Sequence, residues 1–236
     1  MLRIKQLSFH YADVDDAMPM CFDLEVNRGE ILSVIGPSGS GKTTLLNLVA
    51  GFIPATSGSI EISGKEIQHL SPAHRPLSIV FQSHNLFPHL DVFTNIALGI
   101  NPSLKLDDEQ KQTINDALRT LGLEGFEKRK PGQLSGGQQQ RVAIARALVR
   151  QHEVLLLDEA FAALGPALRE ELIELVKALV KRQNLAVIMV SHQPGDARIA
   201  SERTAFINQG RVIALAPTDE LLDHSSSTEI RNYLGS

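Results

Sequence analysis

Apolar residues alternate with polar ones near the start of the chain. Leu2 and Ile4, then Met20, Phe22, Leu24 and Val26, recur at every second position, the period of half-buried strands. Gly58-Ser-Ile-Glu-Ile-Ser-Gly64 predicts one more short strand between glycines, so a small antiparallel β layer is expected here. Other segments are apolar throughout: residues 31–35, 78–81, 154–157 and 186–190. Continuous runs of this length suit a parallel sheet covered on both faces. Helical periods lie between them. Leu168, Leu172, Leu175, Val176 and Leu179 share one face, with Pro166 suited to a first helical position. Val142, Ala145, Leu148 and Val149 mark a second amphipathic helix, and Ile114, Leu118 and Leu121 a third over residues 107–121. Strand signals are sparse from 83 to 151. The pattern predicts one α/β domain over residues 1–236, with 1–82 and 152–236 as the core and β layer and 83–151 as a helical insertion. Residues 225–227, all serine, predict a flexible spot.

Composition narrows the function classes. The 236 residues carry 23 Lys plus Arg against 27 Asp plus Glu, a net charge of −4. That argues against nucleic acid as a main partner, because such domains carry a basic excess. No apolar run reaches the roughly 18 residues that span a bilayer. The opening residues lack the apolar core of a secretory signal, and the single Cys21 cannot form an intrachain disulfide. A cytosolic setting is expected.

One segment carries explicit chemistry. Gly36-Pro37-Ser38-Gly39-Ser40-Gly41-Lys42-Thr43 fits G-x-x-x-x-G-K-[ST] in full, after an apolar strand and before a helix beginning near Thr44. Glycines let backbone N–H groups turn towards phosphates, and the helix N-terminus adds a favourable dipole. Residues 36–44 are therefore the expected nucleotide cradle, with Lys42 on the β and γ phosphates and the Thr43 hydroxyl on Mg²⁺. Asp158 and Glu159 end the apolar strand that starts at Val154. Asp158 suits the Mg²⁺ shell and Glu159 the general base that activates water.

Leu134-Ser135-Gly136-Gly137-Gln138, followed by an amphipathic helix, resembles the signature of the ATP-binding cassette (ABC) ATPases. The resemblance implies a P-loop NTPase fold of the ABC type, ATP and Mg²⁺ as cofactors, and a head-to-tail dimer. In that dimer, Ser135, Gly136, Gly137 and Gln138 of one copy meet the phosphate loop of another. It also implies that Gln82 contacts Mg²⁺ and water, that His192 contacts the γ-phosphate, and that Tyr11 stacks on adenine. Tyr11 read by itself also suits, as the lesser alternative, a strand tyrosine packed into the β layer.

The sequence departs from the family pattern after Glu159. Ala160, Ala162 and Gly165 stand where importer cassettes usually carry Pro, Ser and Asp. Gly165 removes a carboxylate that helps connect the two ATP sites, so weakened communication between sites is expected while nucleotide binding persists.

The stretches Phe81-Gln-Ser-His-Asn-Leu-Phe-Pro-His-Leu90 and Thr94-Asn-Ile-Ala-Leu-Gly99 look like the importer region that receives a helix of a membrane permease. His84 and His89 lack metal-like companions and are expected at the surface. Residues 85–90, 98–106, 122–123, 158–169, 189–192 and 218–222, spread nearly end to end, resemble the thiamine-importer ATPases, with iron, sulfate and polyamine importers as neighbours and a soluble, non-transport ABC ATPase as the other class. The implied setting is the cytoplasmic face of the inner membrane, as a peripheral motor. The implied partners are permease subunits and, indirectly, a periplasmic solute-binding protein.

Overall fold

The computed structural model describes residues 1–11, 19–225 and 227–235; Ser226, within the predicted flexible spot, lies outside them. The alternating segments form β1 (Leu2–Phe9), β2 (Met20–Val26) and β4 (Ser57–Ile62), which pair antiparallel around β1. A two-residue strand, β5 (Lys65–Glu66), closes that edge. The uniformly apolar runs form β3 (Ile31–Ile35), β6 (Leu77–Phe81), β7 (Val154–Asp158) and β8 (Ala186–Val190). Two further strands complete the sheet: β9 (Arg203–Asn208) and β10 (Arg211–Pro217), an antiparallel hairpin turning through Gln209 and Gly210.

All ten strands join one sheet in the order β5-β4-β1-β2-β10-β9-β3-β8-β7-β6. The expected β layer is thus continuous with the parallel sheet. The seam is narrow: Cys21 pairs with Arg211, and the Cys21 amide donates to the Gly210 carbonyl at 2.8 Å. From β9 to β6 the neighbours run parallel, and both β3 and β8 are buried along their whole length. That burial explains why their sequences do not alternate.

Helices cover both faces: α1 (Lys42–Ala50), α2 (Val92–Ile100), α3 (Asp108–Thr120), α4 (Gly136–Leu148), α5 (Pro166–Gln183), α6 (Pro194–Ala200), α7 (Thr218–Asp223) and α8 (Thr228–Leu234). The described residues between β6 and β7 contain helices and turns but no strand, as the sparse strand signal predicted. Asp107 caps α3 through a reciprocal box with Gln110, fixing the start of the predicted helix. One apolar core packs α2, α3, α4 and α5 against one sheet face. A second packs α1 and the antiparallel strands on the other face, and a smaller third gathers α6, α7 and α8 around Ile35 and Phe206.

The C-terminus of α1 depends on a distant cation. Arg75 is buried and donates to the carbonyls of Leu48 and Val49, both at 2.7 Å, Gln68 at 2.9 Å and Leu70 at 3.1 Å. The first two bonds serve carbonyls of the last helical turn, and the other two tie that turn to the loop at 68–70. Arg75→Met keeps the stem and removes every donor. It should lower unfolding free energy by about 2 kcal/mol or more, read from the urea midpoint; an unchanged midpoint would contradict this role.

Candidate active site

Strand register assembles the site. Phe81 pairs with Asp158, Asp158 with Val190, and Val190 with Val34, so the parallel strands end on nearly one row. The chain leaves that row as Gln82 after β6, Glu159 after β7, Ser191 and His192 after β8, and Gly36 after β3. Carboxyl ends of parallel strands are where open α/β sheets collect ligands.

Residues 36–44 run from the end of β3 into the first turn of α1. Gly36 has φ 149°, and a Cβ there would meet the Ile207 carbonyl oxygen at 2.0 Å, so only glycine can pass this close to β9. Gly41 begins α1 in a left-handed conformation with no side-chain cap and no acid in the first helical turn. The N-terminal amides are thus presented without a competing carboxylate. Lys42 is buried, and its ammonium donates to the carbonyls of Gly36 at 2.8 Å and Pro37 at 2.7 Å. Burial lowers its pKa, while Glu159 and Asp158 pull it back up. Desolvation makes a cation favour added negative charge, which phosphates would provide.

Asp158 is pushed in the opposite sense. Its pKa is raised first by burial and next by the Glu159 carboxylate, with His192 and Lys42 opposing. Thr43 is exposed at the start of α1. A carboxylate short of solvation and an exposed hydroxyl are each oxygen donors of the kind that Mg²⁺ takes. Among the described residues no cluster of three or more His, Cys, Asp or Glu could hold a metal. Gln82 is exposed one residue beyond the Phe81–Asp158 pair.

Glu159 adopts φ 49°, unusual for a residue with a side chain. Its amide donates to the Val190 carbonyl at 3.1 Å, and its carboxylate meets His192 Nε2 at 2.5 Å. The expected base and the expected switch histidine are therefore direct partners. Tyr11 is exposed, its hydroxyl 3.1 Å from Thr44 Oγ1 and its ring edge-on to Phe9 at 4.6 Å. Tyr11 thus stands next to the first turn of α1 while keeping a ring contact with β1.

The signature occupies a different element. Ser135 caps α4, its Oγ accepting from the Gln138 amide at 3.3 Å, while Gln138 Oε1 accepts from the Ser135 amide at 2.9 Å. Gly136 is open, with no described atom within 4 Å of where a Cβ would stand, whereas a Cβ on Gly137 would meet Leu168 Cδ2 at 2.4 Å. Gly137 thus serves the contact of α4 with α5. None of the hydrogen bonds among the described residues joins 135–138 to 36–44 of the same chain.

Two findings adjust the sequence reading. Gly165 has φ −66° and ψ 157°, values open to any residue, and space for a side chain. The backbone beside it is also held: Arg169 donates to the Leu164 carbonyl at 2.9 Å and pairs with Gln193 and, at 3.7 Å, Asp196. Nothing in the local sequence signals this bridge, because it links α5 to the His192 segment through folding. His84, expected at the surface, is half-buried with φ 57°, its carbonyl accepting from Arg146 at 2.9 Å; His89 is exposed as expected.

Because the folded pKa of Asp158 lies above its ordinary 3.8, folding keeps a proton there that the unfolded chain has released. Stability therefore falls as pH rises through that window, and the loss is complete above it. Asp158→Asn should raise the thermal midpoint near pH 7, with the gain vanishing below pH 3.8. An equal or lower midpoint at pH 7 would contradict the assignment.

Comparison with known proteins agrees with this geometry. The ABC transporter family model matches residues 21–162. The thiamine import ATP-binding protein ThiQ of Brucella suis is 47% identical over 234 residues, covering 99% of this chain and 95% of the relative. ThiQ of Photobacterium profundum is 45% identical over 240 residues, covering 100% of both. Among solved structures, the dimeric ATP-binding cassette MJ0796, in a post-hydrolysis state bound to ADP and Pi, superposes with TM-score 0.80 at 31% identity. It covers 92% of this chain and 99% of its own. The cbiO1 structure from Clostridium perfringens, part of the ABC transporter complex cbiONQ, gives TM-score 0.84 at 27% identity, covering 94% and 90%. With the phosphate loop, strand-end acids and signature helix in these positions, the chain belongs to the ABC transporter family.

Proposed function

We propose that this chain is the ATP-hydrolysing motor subunit of a thiamine importer, working as a pair of identical cassettes at the cytoplasmic face of the inner membrane. The observation that carries the enzymatic part is the meeting of Lys42, Asp158, Glu159 and His192 at one sheet edge beside a complete phosphate loop. The transport part rests on identity of 45–47% with thiamine import ATP-binding proteins over almost the whole chain.

ATP phosphates would take over the ammonium of Lys42 from the Gly36 and Pro37 carbonyls, and Tyr11 would stack on adenine. Thr43, Asp158 and Gln82 would hold Mg²⁺, which when bound neutralises charge on the phosphate oxygens. Glu159 would take the proton of the attacking water, with His192 holding its carboxylate in line. The opposite side of each ATP needs a second copy. There Ser135 can donate its hydroxyl proton to phosphate, since its oxygen already accepts from Gln138, and Gly136 leaves room for close approach. Closure then follows from the tighter grip on ATP in the paired state. The missing D-loop carboxylate at Gly165 would leave the two sites less tightly coupled.

Motion would pass through the segment that begins at Gln82. Buried Asn95 holds the loop before α2, accepting from the Phe87 amide at 2.8 Å and donating to the Leu90 and Asp91 carbonyls. A groove of about 470 Å³ opens beside it, with Phe52, Phe87, Leu98 and Arg150 in its lining; we infer that it seats a permease helix. No helix among the described residues is long and apolar enough to cross a membrane, so the pore would belong to those partners. Residues 83–151 would move as the helical arm on a core of 1–82 and 152–236. A periplasmic solute-binding protein would engage only the permease.

The test is ATP turnover by the chain reconstituted with candidate permease and solute-binding proteins in vesicles. Thiamine should stimulate turnover several-fold, and Gly165→Asp should steepen its dependence on ATP concentration. Stimulation by another solute but not by thiamine would overturn the substrate assignment, and an unaltered ATP dependence would overturn the role of Gly165.

A further inference from the structure

The helix α8 reaches back to the catalytic edge. Ile230 is fully buried among Ile35, Ala197, Phe206 and Leu221, and Glu229 accepts from the Asn208 side chain at 3.1 Å. This anchoring sets Tyr233 with its ring edge-on to Phe206, centroids 5.4 Å apart. Phe206 is fully buried and pairs with Ile35, the last residue before the phosphate loop. From that perch the phenol donates to the His192 carbonyl at 3.2 Å. One side chain therefore packs its ring on the strand pair that leads into the phosphate loop and sets its hydroxyl on the peptide of His192.

We propose that Tyr233 is a positioning residue for ATP hydrolysis: its hydroxyl fixes the His192 peptide relative to the phosphate loop, so that the imidazole meets Glu159 and the γ-phosphate together. The inference rests on the reading of His192 as a γ-phosphate contact. Other atoms hold the flanks of the same segment. The Ser191 amide donates to the Val34 carbonyl at 3.2 Å, the Ser191 hydroxyl to Asp196 at 2.7 Å, and the Gln193 amide to Ser191 Oγ at 3.0 Å. Tyr233 supplies the corresponding hold on the His192 carbonyl itself. Burial raises the phenol pKa above its ordinary 10.0, so the donor proton is retained across the working pH range. A shift of a few tenths of an ångström in the imidazole matters because positioned groups act only in aligned geometry.

Tyr233→Phe keeps the ring on Phe206 and removes only the hydroxyl. In the reconstituted complex it should lower kcat about three- to tenfold, the worth of one ordinary hydrogen bond, with KM for ATP changed less than about twofold. In a His192→Ala background, followed by single-turnover hydrolysis at excess enzyme, the same substitution should cause no further loss. Unchanged kcat in Tyr233→Phe would overturn the inference, and so would an undiminished loss in the His192→Ala background. His192→Ala turning over at the parent rate would instead overturn the γ-phosphate reading beneath it.

Discussion

Charges held out of water at the ends of parallel strands govern this molecule. Lys42 is nearly buried, Asp158 is half-buried, and burial shifts each towards its neutral form. Among the described residues neither has a close salt-bridge partner: the ammonium rests on carbonyl oxygens of its own loop. Folding supports this cost through the fully buried strands β3 and β8 and the apolar cores on both faces. A site kept short of solvation becomes receptive to phosphate and cation together. Function and instability thus share one origin.

The second constraint is connection. The loops that leave the site edge are each tied to something distant. Gly36 lies against β9, Glu159 against His192, the residues after Gln82 against Arg146, and the D-loop carbonyls against Arg169. Arg169 also pairs with Gln193 beside His192, and the Tyr233 hydroxyl donates to the His192 carbonyl. Such links let a change at the phosphates alter the positions of several loops at once. They also allow Gly165 to lack a carboxylate while its neighbours stay anchored.

What can be read from the sequence follows the range of the interactions. The phosphate loop, the strand-end acids and the signature are contiguous, and their local geometry depends on residues a few positions away. Uniform burial makes β3, β7 and β8 visible as apolar runs. The β9–β10 hairpin escapes the pattern although Gln209-Gly210 is a turn signal, because a register shift between Val212 and Ala214 breaks the alternation of β10. The helix α2 stands out only as a permease-facing segment; its buried Asn95 looks like a surface polar residue until the loop folds over it. Roles for Glu159 and His192 follow from the strand end and the family resemblance, but their direct contact comes only with the fold. Tyr233 and Arg169 leave no local signal at all. Their partners lie 41 and 24 positions away, where no spacing rule applies.

The central claim is that each ATP is completed by two copies of the chain, with Glu159 as the base. It is tested most directly by incubating Glu159→Gln with ATP and Mg²⁺, then measuring particle mass by light scattering and bound nucleotide by chromatography. The account predicts a dimer that retains two intact ATP molecules. ATP held tightly by a monomer, or hydrolysis at the parent rate, would contradict it.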